Sequence, residues 1–279
     1  MRGTMVNHSD RKPFDPQDYW EERLRNNFGP GGVGYVGMDE GYNIWLYRVR
    51  RRVFLRIVSS LDIDLRQANV MDIGSGTGFY IERWKEAGVE KIVGTDLTQV
   101  SIRNLQRKFP RDQFFQVDIG DEKVILPGQG QFDVVSAFDI LFHIVDDARY
   151  QKAIQNIYGL LRPGGWFIFS DNFLHYGTER VRHQVSRSLE DITAILREIG
   201  FRIIRRTPMF VLMNDPVDQP HPFFRWAWII FETFIQKTKF LGQIYWTVVY
   251  PWELLLTRYL KESPTTEIMI CKKPERIST

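Results

Sequence analysis

Between residues 69 and 210, short β-branched runs alternate with stretches whose apolar positions recur at helical spacing, a pattern that predicts strands separated by helices. Val70 to Ile73 reads as a first strand. A helix follows from Phe79 to Ala87, with Ile81, Trp84 and Ala87 on one face and Gly88 as its stop. Lys91 to Asp96 is a second strand, and Ile102, Leu105 and Phe109 mark a helix that halts at Pro110. Gln113 to Asp118 and Phe132 to Ala137 are the third and fourth strands. Tyr150, Ala153, Ile154, Ile157 and Leu161 line a further helix, which the turn Arg162-Pro-Gly-Gly165 ends before a fifth strand from Trp166 to Ser170. Ser188 and Asp191 pair as the cap of a helix carrying Leu189, Ile192, Ile195, Leu196 and Ile199, closed by Gly200. A sixth strand starts at Phe201, and a last one runs from Glu267 to Lys272. The expected fold class is α/β: a Rossmann-like, doubly wound seven-stranded sheet, mostly parallel, with ligands at the carboxyl ends of its strands.

Two segments fall outside this core of residues 61–214. Residues 1–60 are helical in tendency and hold Tyr19-Trp20, the run Gly29-Pro-Gly-Gly-Val-Gly-Tyr35, and the aromatics Tyr42, Trp45 and Tyr47, so they read as an N-terminal helical cap. Residues 215–264 contain four of the eight tryptophans and read as a helical insertion before the last strand, which with the tail occupies 265–279. The insertion is too apolar for a bare linker. A lid over the substrate, a homodimer interface and a peripheral membrane contact are its three readings. The lid is preferred, because a cleft capped by aromatic side chains excludes water. Glu232, Lys237, Lys239, Glu253 and Arg258 interrupt it too often for a spanning helix.

Composition narrows the class only slightly. A chain of 279 residues with 43% hydrophobic content can bury a full α/β core, and a net charge of +3 does not by itself imply nucleic acid. One cysteine, Cys271, builds neither a disulfide nor a thiolate metal site. Met1 to Pro16 is polar, without the apolar core of a secretory signal, and the expected location is cytoplasmic. The run Arg48-Val-Arg-Arg-Arg-Val-Phe-Leu-Arg56 is read as the solvated face of a helix whose Val49, Val53 and Ile57 pack inward.

The chemistry concentrates at the end of the first strand, where Val70-Met-Asp-Ile-Gly-Ser-Gly-Thr-Gly-Phe79 brings bare backbone to a turn. Three glycines between strand and helix serve a close-lying ligand and positive φ angles. Phe79 occupies the third-glycine position of the dinucleotide fingerprint, and no Gly-Lys-Ser or Gly-Lys-Thr follows, which argues against NAD, FAD and a P-loop. Asp72 would repel a pyrophosphate and attract a ligand carrying an ammonium and a sulfonium.

With these motifs in this order, the chain resembles the class I S-adenosylmethionine-dependent methyltransferases over roughly Asn69 to Phe210 and the final strand. The resemblance implies that Asp72, Gly74, Ser75, Gly76, Gly78 and Phe79 wrap the methionine part of the cofactor. It implies that Asp96, with Leu97 beside it, holds the ribose hydroxyls, that Asp118 and the backbone of Ile119 meet the adenine, and that Phe138 adds to the cofactor site. His143, after strand four, is the candidate general base, since an imidazole of ordinary pKa titrates near neutrality. Asp139 with Asp171-Asn172 resembles the magnesium ligands of catechol-type O-methyltransferases. The flanking Leu141-Phe-His-Ile-Val-Asp-Asp147 resembles metal-independent relatives instead, so no metal is expected.

The expected activity is methyl transfer from S-adenosylmethionine to a small aromatic or amphipathic acceptor, at oxygen, with Tyr19, Trp20, Tyr35 and Tyr42 shaping the acceptor site. No Asn-Pro-Pro-Tyr or Asp-Pro-Pro-Tyr follows strand four and Cys271 sits in the last strand, so nucleic acid is not the expected partner. Two alternatives stand beside this: a lipid or polyprenyl methyltransferase at the membrane surface, and a catalytically silent cofactor-binding partner subunit.

Overall fold

A computed structural model describes residues 14–34, 40–219, 223, 226, 228–230, 233 and 239–275. Two helices come first among the described residues. In α1 (Pro16–Asn26), the Asp15 carboxylate accepts from the backbone N–H groups of Gln17 and Asp18, and proline occupies the first turn where no donor is needed. The single turn α2 (Pro30–Val33) leads toward the long α3 (Glu40–Val58).

The core then follows as β1 (Asn69–Ile73), α4 (Phe79–Glu86), β2 (Lys91–Asp96), α5 (Gln99–Lys108), β3 (Gln113–Gln116), β4 (Phe132–Ala137), α6 (Asp147–Leu160) and β5 (Leu161–Asp171). A hairpin, β6 (Glu179–Val181) and β7 (Gln184–Ser186), precedes α7 (Leu189–Ile199) and β8 (Arg202–Pro208). The insertion contributes α8 (Lys239–Tyr259), and β9 (Glu267–Lys272) closes the sheet. The seven strands lie in the order β3-β2-β1-β4-β5-β9-β8. All neighbours are parallel except β9, which runs antiparallel to β5 and β8. The order reverses between β1 and β4, so the glycine turn and the loop after β4 emerge side by side at the switch point.

The two faces of the sheet read directly from period two. Val70, Val134, Ile168 and Ile270 join one core with residues of α3, α4, α5 and α8, while Met71, Val135, Phe167 and Met269 join the other with α6 and α7. Val49, Val53 and Ile57 are buried as expected. The helix they belong to covers the sheet as part of its core.

The second, fourth and last strands have the expected bounds. The third stops at Gln116, because the chain turns so that the Asp118 carboxylate accepts from the Gly120 N–H. The Arg162-Pro-Gly-Gly165 segment is an irregular entry to β5 rather than a free turn. Leu161 already pairs with Phe132, and the Gly164 N–H donates to the Lys273 carbonyl. The β6–β7 hairpin has no counterpart among the expected elements. Its three-residue strands carry too few positions for a period to show.

Described α8 packs on α3 and β8. Tyr42 meets Trp246 at 5.0 Å and Trp45 meets Tyr250 at 5.3 Å, the Trp45 indole donates to Gln243, and Arg56 donates to the Thr257 carbonyl. This makes α8 a buttress of α3. Among the described residues, no helix is long and apolar enough to cross a membrane.

Candidate cofactor and acceptor site

The turn after β1 places Gly74, Gly76 and Gly78 at φ of 70°, 51° and 85°. At two of them the protein itself also requires glycine. A Cβ at Gly74 would lie 2.3 Å from the Ile140 side chain, and one at Gly78 would lie 2.7 Å from the Phe109 ring. Glycine here therefore lets β1 meet the loop after β4, and α4 meet α5, while leaving the backbone bare on the ligand side.

Asp72 is buried beside this turn. Its Oδ1 accepts from the Ser136 hydroxyl at 2.7 Å, whereas its Oδ2 has no partner among the described residues. Burial pushes the carboxyl up to about 7, against the lowering effect of hydrogen bonds from Ser136 and Ser75. A buried carboxylate with one oxygen unsatisfied suits a cationic ligand group, so the residues present fit the ammonium-bearing and sulfonium-bearing cofactor that the glycine turn suggested.

Asp96, at the end of β2, ties the turn together. Its Oδ2 accepts from the Gly76 N–H at 2.8 Å, and its Oδ1 accepts from the Thr98 N–H and hydroxyl. Burial raises its pKa, and the Thr98 and Gly76 bonds oppose that rise. Leu97 follows, its carbonyl accepting from Gln116. Asp118 is more committed: Oδ2 lies 2.6 Å from Arg149 of α6, and Oδ1 accepts from Gly120. The neighbouring Ile119 is buried, with its carbonyl accepting from Asn156. Phe138 is stacked on Tyr80 at 4.3 Å, and Phe79 abuts Tyr47 at 4.7 Å.

The loop after β4 carries a half-buried charge pair that sequence reasoning missed. Asp139 adopts a left-handed backbone, φ 59°, a conformation costing a non-glycine residue about 1–3 kcal/mol. Ser170 holds it there, accepting from the Asp139 N–H at 2.7 Å and donating to Oδ1 at 2.9 Å. Oδ2 lies 2.9 Å from Nη2 of Arg50, whose guanidinium also faces the rings of Tyr47 and Phe210. Burial alone would weaken the charge on Arg50, yet Asp139 together with the neighbouring tyrosines raises its pKa. Nε and Nη1 of Arg50 and the Tyr80 hydroxyl are buried without partners among the described residues, which leaves donors able to meet a polar ligand. Placing all the arginines of α3 on a solvated face was therefore wrong for Arg50. The available signal was its helical spacing from Tyr47 and Phe54, which flank the buried face.

The three candidate metal ligands do not converge. Asp139 serves Arg50 and Ser170, the Asn172 side chain bonds Ser186 and Thr266, and Asp171 is wholly buried, accepting from the Asn172 N–H. Among the described residues, no group of three or more His, Cys, Asp or Glu side chains is arranged to hold a metal ion.

His143 sits on a single 3₁₀ turn, Leu141–His143, with Nδ1 2.9 Å from the carbonyl of His183 in the hairpin turn. A donated Nδ1–H fixes the tautomer and leaves Nε2 as the acceptor. Burial pushes its pKa down to about 4, so the ring is neutral at pH 7 and less basic than an ordinary imidazole. Trp20 meets His143 edge-on at 4.9 Å, and Tyr19 is stacked on His183 at 6.0 Å. Tyr42 is not placed with them. It is wholly buried between α3 and α8, its hydroxyl donating to the Met213 carbonyl, because it completes the packing of the cap on the insertion. Tyr35 lies outside the described residues.

Residues 70–165 match the family model described as a methyltransferase domain. A tRNA U34 carboxymethyltransferase from Idiomarina loihiensis is 31% identical over 121 residues, covering 40% of this chain and 35% of that protein. A ubiquinone biosynthesis O-methyltransferase from Bordetella bronchiseptica is 32% identical over 104 residues, covering 36% and 41%. The chain thus spans well under half the length of these curated relatives. Among solved structures, the magnesium protoporphyrin IX methyltransferase of Synechocystis PCC 6803, which contains bound SAH, shares the fold at TM-score 0.55 and 17% identity, over 92% of this chain and 97% of that one. Residues 70–165 thus match a methyltransferase domain, and the fold around them is shared with a methyltransferase that contains bound SAH.

Proposed function

We propose that the chain transfers a methyl group from S-adenosylmethionine to an oxygen of a small aromatic or amphipathic molecule. The observation that carries this reading is the grouping of Tyr19, Trp20, His143 and His183 at the exit of β4, one strand from the glycine turn. Asp72 and the turn from Gly74 through Ser75, Gly76 and Gly78 to Phe79 hold the methionine end of the cofactor. Asp96 and Leu97 take the ribose, Asp118 and Ile119 border the adenine, and Phe138 backs the sulfonium side. Bound there, the cofactor supplies an activated methyl, and the protein's work is to align the acceptor and exclude water.

His143 Nε2 takes the acceptor's proton, and what supports this is a neutral ring steered by the bond from Nδ1 to His183; the near-neutral pKa that the sequence suggested is overturned by burial. Arg50 and Tyr80 offer unpaired donors to a polar group of the acceptor. A small acceptor is favoured over RNA because Arg50 and Arg51 are engaged by Asp139 and Glu86, which breaks any continuous basic strip at the site. Oxygen is favoured by the ubiquinone-pathway relatives, although other relatives bear names that specify tRNA or mRNA caps.

The test is S-adenosylhomocysteine release across a panel of phenols and amphipathic hydroxyl compounds. His143→Ala is expected to cut turnover about 100-fold or more while leaving cofactor affinity nearly unchanged. Wild-type turnover in that variant removes the base. Calorimetry showing no S-adenosylmethionine binding to the chain overturns the whole reading.

A further inference from the structure

The outer face of α8 is apolar and exposed, and its surroundings are positively charged. Ile244, Val248, Trp252, Leu255 and Tyr259 follow at helical spacing along one side, with exposures of 47%, 61%, 60%, 46% and 70%. Packing among the described residues does not account for this stripe, since the helix buries Trp246, Glu253 and Thr257 on its inner side. From Gly242 to Thr257 the only acid or base is Glu253. It is turned inward, accepting from the N–H groups of Val211 and Leu212 at 2.8 and 2.7 Å.

Beside the stripe stand arginines without carboxylates. Arg56 of α3 reaches the Thr257 carbonyl, and its pKa is lowered first by burial and then by the charges of Arg258 and Arg205. Arg48 and Arg52 share the helical face of α3 that carries Trp45 and Arg56, both of which touch α8. None of these five arginines forms an ion pair among the described residues. The pattern is that of an interfacial helix: a charge-free apolar face with tryptophan and tyrosine on it, edged by cations.

We propose that α8 docks this protein on an anionic lipid bilayer, lying in the plane of the headgroups. A second copy of the chain is the poorer occupant, because a two-fold contact through the same face would set the five arginines against five like charges. Juxtaposed cations of this kind attract anionic headgroups. The inference is independent of the methyl acceptor.

Flotation of the full chain with phosphatidylcholine vesicles, with and without about 30% phosphatidylglycerol, tests it. The wild type is expected to float with the anionic vesicles and stay dense with the neutral ones, and to be released as salt rises from about 0.1 to about 0.5 M. Val248→Glu with Trp252→Glu, and separately Arg205→Glu with Arg258→Glu, should each weaken binding at least about tenfold. Circular dichroism and S-adenosylhomocysteine binding report folding of each variant, and Ile244→Ser with Val248→Ser serves as a milder pair if the first does not fold. The proposal is overturned by a wild type that stays dense with anionic vesicles, by stripe variants that float as it does, or by a concentration-dependent dimer lost on the same substitutions. Binding of a single-stranded RNA without flotation also overturns it and assigns the arginines to nucleic acid.

Discussion

Asp72 holds the most testable chemistry at the scale of single residues. With its pKa near 7 and Oδ2 unpartnered, it is about half protonated at neutral pH, whereas a bound ammonium or sulfonium would hold it ionised. The sign follows. A carboxyl whose pKa falls on binding releases protons, so cofactor binding should release about one proton well below pH 7, about half at pH 7 and almost none at pH 9. Affinity should weaken correspondingly as pH falls below 7. Calorimetry in buffers of different ionisation enthalpy measures this, and Asp72→Asn should abolish the proton release; an unchanged release in that variant assigns it to another group. The place of Asp72 was legible, because an acid ending a strand before glycines has few structural uses. The pairing of Asp118 with Arg149 and of Asp139 with Arg50 was not, since each joins residues far apart in the chain through loops whose path has no local signature.

Elements were legible where hydrophobic period and burial coincide. The second, fourth and last strands matched to the residue because their buried runs are bounded by turns, whereas the hairpin after β5 escaped notice with an outer strand exposed throughout. For α8 the pattern showed an apolar helix and left its partner open. Glu253 read in sequence only as a charge barring a spanning helix. In the structure it is an internal acceptor that joins α8 to the chain leaving β8, through the N–H groups of Val211 and Leu212. Burial raises its pKa, and those bonds oppose the rise. Glu253→Ala strands both donors in a partly buried site and is expected to cost about 1–3 kcal/mol. Glu253→Gln keeps one acceptor oxygen and should cost less. Urea titration of the three proteins measures the difference, and equal stability of Ala and wild type contradicts the clamp.

On the scale of the whole molecule, the N-terminal region divides into two functions that its sequence presents as one. Its aromatic residues suggested a single cap over residues 1–60, yet α1 brings Tyr19 and Trp20 to the hairpin and His143, while α3 fills one face of the sheet. Val49, Val53, Phe54, Ile57 and Val58 of α3 are all buried. At about 1.5–3 kcal/mol for each large side chain, their burial contributes on the order of 10 kcal/mol, comparable to the total stability of an ordinary domain. The helical spacing announced that this face is buried; that the sheet covers it depends on topology, which no local period encodes. Two truncations should therefore behave differently. A chain beginning at Leu61 is expected to be insoluble or to lack cooperative unfolding, because the face carrying Val70, Val134 and Ile168 loses its cover. A chain beginning at Gly29 keeps α3 and should retain a cooperative transition and cofactor binding, while losing methyl transfer with Tyr19 and Trp20. Cooperative unfolding by the shorter chain would show that α3 is dispensable to the core, and full turnover by the longer one would remove α1 from the acceptor site.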